Sequence, residues 1–133
     1  MSTESRYQRV MFIDDNELDN FINKTRVESE NFAAEIQPFL SSSEALAYLQ
    51  THASSPELLP DIIFLDIIMP GMDGFGFLEA FDKLPDAVKS KSRIVMLSTS
   101  DSFKDLNRAN QNKFVRKFLN KPLSPAMLKA INF

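Results

Sequence analysis

Ile62-Ile63-Phe64-Leu65-Asp66 is the stretch that decides the fold. Four consecutive apolar residues end at an acid and leave no polar face. Such a run suits a strand buried on both sides, as in a parallel sheet. Met69-Pro70-Gly71-Met72-Asp73-Gly74 follows it and is rich in turn formers. The pattern recurs along the chain. Val10-Met11-Phe12-Ile13 is apolar and ends in Asp14-Asp15. Arg93 to Leu97 ends in Ser98-Thr99-Ser100-Asp101. Val115 to Leu119, interrupted by Arg116 and Lys117, ends at Lys121-Pro122. Ala33 to Leu40 is a further strand, and Pro38 within it suits a sheet edge.

Helical patterns lie between these runs. Glu17 to about Ser29 carries Leu18, Phe21, Ile22 and Thr25 at helical spacing, which predicts an inward apolar stripe. Ser41-Ser42-Ser43-Glu44 is an N-cap cluster leading into Ala45-Leu46 and Tyr48-Leu49. His52 to Pro60 is a loop rich in Ser and Pro. Phe75 to Leu84 predicts a helix with Phe77, Leu78 and Phe81 on one face. A polar helix from about Phe103 to Gln111 and a short one from Pro125 to Ile131 complete the series. Five strands alternating with five helices predict βαβ units and a parallel sheet covered on both faces.

Composition bounds the function. The 133 residues fit one domain, with 44% hydrophobic and 25% charged residues, both ordinary for a globular protein. No cysteine is present, so disulfides, thiolate zinc sites and cysteine nucleophiles are excluded. The net charge of -3 gives no electrostatic case for direct nucleic-acid binding. The polar start, Met1 to Arg9, does not read as a signal peptide, and no apolar run approaches the roughly 20 residues a membrane span needs. A cytoplasmic protein with no membrane contact is the simplest expectation.

In a parallel α/β sheet, ligands bind beyond the carboxyl ends of the strands. Asp14, Asp15, Asp66, Ser98 and Lys121 all stand at such ends. Three carboxylates gathered there repel one another. A hard divalent cation, Mg²⁺ or Mn²⁺, relieves that repulsion, and no His or Cys competes for a softer metal. Lys121 and the Ser98 hydroxyl then suit the remaining oxygens of a phosphoryl group, with an aspartate as nucleophile. Each residue alone has a plainer reading. Asp14-Asp15 suits a helix N-cap, Ser98-Thr99-Ser100 a turn, and Lys121 a solvated surface. Their joint occurrence at successive strand ends is what a structural account does not require. His52, the one histidine, reads as a solvated loop residue ahead of a phosphotransfer group.

From about Arg9 to Ile131 the chain resembles the receiver domain of two-component response regulators. The resemblance is carried by Phe64-Leu65-Asp66-Ile67-Ile68-Met69-Pro70-Gly71-Met72-Asp73-Gly74. Phe12-Ile13-Asp14-Asp15-Asn16, Met96-Leu97-Ser98 and Phe118-Leu119-Asn120-Lys121-Pro122 support it. It implies a doubly wound, flavodoxin-like five-stranded sheet of order 2-1-3-4-5. It implies that Asp66 accepts a phosphoryl group from a sensor histidine kinase or a histidine phosphotransfer protein. Asp15, Asp66 and the main-chain carbonyl of Ile68 would hold Mg²⁺ directly, with Asp14 acting largely through water. Ser98 and Lys121 would contact the phosphoryl oxygens. The loop from Thr99 to Phe103 would move, and Phe118 stands where the family has its switch aromatic, though a buried core Phe is as good a reading. The Lys121-Pro122 bond is often cis in the family. Phe114-Val115 replaces the usual Gly-Ala before the fifth strand, and Thr99 takes the small-residue position after Ser98. Residues 1–133 are expected to be one stand-alone receiver without an output domain. It would switch an unnamed downstream partner as a monomer or phosphorylation-dependent dimer.

Three competing readings differ in class. A haloacid-dehalogenase phosphohydrolase needs a second Asp where Ile68 stands. A flavodoxin needs a Ser/Thr-rich phosphate loop where Asp14-Asp15-Asn16-Glu17 would repel one. A pseudo-receiver binding proteins without phosphorylation would have no reason to keep all five site residues.

Overall fold

The computed structural model describes residues 5–98 and 103–133. Its strands are β1 Tyr7–Ile13, β2 Ala33–Phe39, β3 Ile62–Asp66, β4 Arg93–Ser98 and β5 Val115–Asn120. Its helices are α1 Glu17–Ser29, α2 Ser42–Thr51, α3 Gly74–Phe81, α4 Asp86–Lys91, α5 Phe103–Gln111 and α6 Pro125–Ala130. A 3-10 turn, Pro56–Leu58, precedes β3. The strands pair in parallel in the order β2-β1-β3-β4-β5. This is the expected doubly wound sheet, with Pro38 on an edge strand where it removes no needed donor.

Alternating residues of each central strand feed two cores. Ile63 and Leu65 of β3 join Met11 and Ile13 of β1 on one face, packed by Ala45 and Leu49 of α2 and by Phe77, Leu78 and Phe81 of α3. Val88 of α4 and Ala109 of α5 complete that layer. Ile62 and Phe64 turn the other way and meet Val10, Phe12, Val27 of α1 and Leu128 of α6. The Phe12 and Phe64 rings stack there at 4.8 Å. All five residues of β3 are buried, as its unbroken apolar pattern requires.

Two expectations fail. The helix expected from Phe75 to Leu84 ends at Phe81, and a separate helix, α4, follows. Leu84 precedes Pro85, which biases it away from helical angles. The second failure is larger. The stripe Leu18, Phe21, Ile22 of α1 faces solvent, with exposures of 66%, 59% and 36%. Asn20, Asn23 and Val27 are buried instead. The reason is backbone satisfaction. Asn20 Nδ2 donates to the Asp14 carbonyl at 2.9 Å. Asn23 Oδ1 accepts from the Leu123 amide at 3.3 Å. Leucine could do neither.

The two ends of the chain meet. Arg6 donates to the carbonyls of Leu128, at 2.8 Å, and of Ile131 at the end of α6. Its guanidinium lies 5.3 Å from the centre of the Phe32 ring. The Phe133 amide donates to the Tyr7 hydroxyl at 3.0 Å. At the amino ends of the strands, the Asp61 carboxylate accepts from the amides of Gln8 and Arg9 and pairs with Lys91 at 2.7 Å.

Candidate functional site

The carboxyl ends of β1, β3, β4 and β5 bring the expected residues to one edge. Asp14 follows β1, and Asp66 ends β3; both are buried. Asp15 beside Asp14 is exposed. One carboxylate oxygen from each of Asp14, Asp15 and Asp66 lies within 4.8 Å of the others. Asn16 then caps α1, accepting from the Asp19 amide at 3.0 Å. The Asn16 amide donates to Asp14 Oδ1 at 3.0 Å, which fixes that carboxylate.

Lys121 reaches into the cluster from the residue after β5. Its side chain is only 8% exposed. Its Nζ pairs with Asp14, with Asp19 at 3.0 Å and with Asp66 Oδ1 at 3.3 Å. The Lys121-Pro122 peptide is cis. The Lys121 amide donates to the Ser98 carbonyl at 3.0 Å, which ties β5 to the end of β4. Ser98 itself is buried and lies one residue beyond Leu97, the register partner of Asp66. Phe118 is half-buried, opposite Met96 in the sheet. Ile68, two residues beyond β3, is exposed. The expected motion of the loop after Ser98 concerns 99–102, which lie outside the described residues.

The turn after Asp66 holds the acid close. The Gly74 amide donates to the Ile67 carbonyl at 2.8 Å. A Cβ on Gly74 would stand 2.6 Å from the Asp66 carbonyl oxygen, so only glycine fits. Gly71 occupies the left-handed region at φ +74.

Electrostatics follow from this packing. Burial, and then the Asp14 charge, push the Asp66 carboxyl up to about 6, against the opposing pull of Lys121. Burial disfavours the Lys121 ammonium. Hydrogen bonds to Asp14 and Asp19, with the Asp66 charge, outweigh that and push it up to about 12. Three oxygen donors with no nitrogen or sulfur suit a hard divalent cation. That cation would also relieve the repulsion raising Asp66.

Sequence reading placed Asp14, Asp15, Asp66, Ser98 and Lys121 at this edge, and the structure brings them there. It missed Asp19. An acid in the first turn of α1 reads as a dipole partner. Nothing local announces a lysine 102 positions away. His52 closes α2, its ring 4.4 Å from that of Tyr48, and makes no part of the cluster.

Comparison with known proteins identifies the family to which this fold belongs. The family model for the response regulator receiver domain matches residues 10–132. The probable methanogenesis regulatory protein FilR2 of Methanothrix harundinacea is 31% identical over 120 residues, covering 90% of this chain and 76% of that protein. A two-component response regulator from Cytophaga hutchinsonii is similar in structure, with a TM-score of 0.87 and 30% identity over 93% of this chain and 92% of that one. A response regulator receiver protein from Dyadobacter fermentans gives 0.82 and 27%, covering 92% and 93%. Among the described residues, no helix is long and apolar enough to cross a membrane.

Proposed function

The chain belongs to the response regulator receiver domain family, a family of regulatory domains, and we propose that it accepts a phosphoryl group on Asp66 and changes protein partners in response. The observation that carries this is the buried Asp66 carboxylate, flanked by Asp14 and Asp15 and paired with Lys121 at 3.3 Å. Receiver domains interact with histidine kinases or histidine phosphotransfer proteins, and such a protein is the expected donor. An Asp66 oxygen forms the new bond to phosphorus. The donor's P–N bond breaks, and its electron pair leaves with the imidazole. The Lys121 ammonium and the Ser98 hydroxyl meet the phosphoryl oxygens. A divalent cation, Mg²⁺ by preference, would neutralise charge on the same oxygens, held by Asp14, Asp15, Asp66 and the Ile68 carbonyl.

The readout would lie in the sheet edge around β5. Phe118 is half-buried there and packs against the core; an inward turn of its ring is the switch role proposed for it. The exposed ridge of Leu18, Phe21 and Ile22 borders the site and suits the apolar face of a donor helix. We place the protein in the cytoplasm, where such donors deliver phosphate.

Incubation with phosphoramidate or acetyl phosphate and MgCl₂, followed by intact-mass measurement, tests the reading. A single-phosphate adduct that disappears in Asp66→Asn is expected. No adduct, or one that survives in Asp66→Asn, would leave only a phosphorylation-independent binding module.

A further inference from the structure

We propose that Asp19 is a positioning residue for phosphoryl transfer, holding the Lys121 ammonium at the acceptor. This rests on the reading of Asp66 as phospho-acceptor. An ammonium carries three N–H donors. Those of Lys121 face three carboxylates: Asp14, Asp19 at 3.0 Å and Asp66 at 3.3 Å. Asp14 and Asp66 belong to the cluster that fits a divalent cation. Asp19 lies outside that cluster. It is the lysine partner with no second duty at the acceptor.

Its mounting suits the task. Asp19 sits in the first turn of α1, with its amide bonded to the capping Asn16. From that rigid turn its carboxylate meets Lys121 after β5. The Asp19 side chain is 33% exposed and that of Lys121 only 8%, so Asp19 stands on the solvent side of the ammonium. A cavity of about 180 Å³, lined by Asp19, Ile22, Asn23, Lys121 and Pro122, opens beside it. A four-carbon stem released from Asp19 has that space to enter, away from Asp66. Holding the ammonium in place beforehand lowers the cost of aligning it with the incoming phosphoryl group.

The experiment follows phosphoramidate uptake by intact mass in wild type, Asp19→Asn, Asp19→Glu, Lys121→Met and the Asp19→Asn/Lys121→Met pair. Asp19→Asn is expected to be roughly tenfold slower, as for the loss of one charge-assisted hydrogen bond. Asp19→Glu restores most of the rate. Asp19→Asn has no further effect once Lys121 is methionine, a coupling that general loosening of α1 would not produce. Calorimetric Mg²⁺ affinity holds within about fivefold, because Asp19 is outside the ligand set. Uptake unchanged in Asp19→Asn, or slowed equally in both backgrounds, would overturn this inference alone. A wild-type protein that takes up no phosphate would overturn the acceptor reading and this inference with it.

Discussion

Asp66 is charged at neutral pH against its own surroundings. In the unfolded chain it loses its proton near 3.8, and in the fold near 6. The fold therefore carries no penalty below the lower value, a growing one between them, and the full penalty above 6. Asp66→Asn is expected to stabilise the metal-free protein at pH 7.5 by about 1–2 kcal/mol, the full shift being reduced by solvent screening. Urea unfolding in EDTA checks this, and the gain should shrink steadily toward pH 4.5. A gain independent of pH would contradict the electrostatic account. Gly74 faces a different constraint. Gly74→Ala sets a methyl against the Asp66 carbonyl oxygen, 2.6 Å away, and is expected to cost about 2 kcal/mol in the same assay. The acids, Ser98 and Lys121 were legible because each ends an apolar run, and the parallel sheet lines such ends along one edge. Asp19 was not legible, because what makes it matter is a contact between α1 and the far end of the chain.

At the scale of the element, α1 was legible in extent and wrong in orientation. Its Asn16 cap and its span from Glu17 to Ser29 follow local rules. Which face turns inward is decided by unpaired backbone groups at Asp14 and Leu123, and these appear only once the sheet has formed. The outward ridge has a measurable consequence. Phe21→Ser should change stability by less than about 0.5 kcal/mol, as for an exposed position. Transfer from a phosphohistidine protein should slow relative to uptake from acetyl phosphate. Equal slowing with both donors would remove the ridge from donor docking. The amino ends of β1, β3 and β4 depend on Asp61. Burial raises its pKa, but Lys91 and the amides of Arg9 and Gln8 outweigh this and hold the carboxyl below 3.8. That stabilisation is present above 3.8 and is lost as the pH falls through the lowered value. Asp61→Asn is expected to cost about 1–2 kcal/mol at pH 7. In urea unfolding the gap from wild type should close only below pH 3.8.

For the whole molecule, strand order follows from the alternation of apolar runs and helices together with the family resemblance, and the structure agrees. The clasp between the chain's two ends was not legible. Arg6 lies in a polar stretch whose carbonyl partners at Leu128 and Ile131 are 122 and 125 residues away. Arg6→Ala should cost about 1–2 kcal/mol, as for a hydrogen bond from a charged donor. Faster amide exchange in α6 would register it. The buried strand β3 is also bracketed by acids: Asp61, just before it, anchors one side, and Asp66, its last residue, is the proposed acceptor on the other. Five steps of strand separate them by about 16 Å, beyond the range over which substitutions usually couple. Free-energy changes at the two ends should therefore add. The protein can then tolerate retuned chemistry at one end without weakening its fold at the other, as if the four apolar residues between them, Ile62 to Leu65, were an insulator.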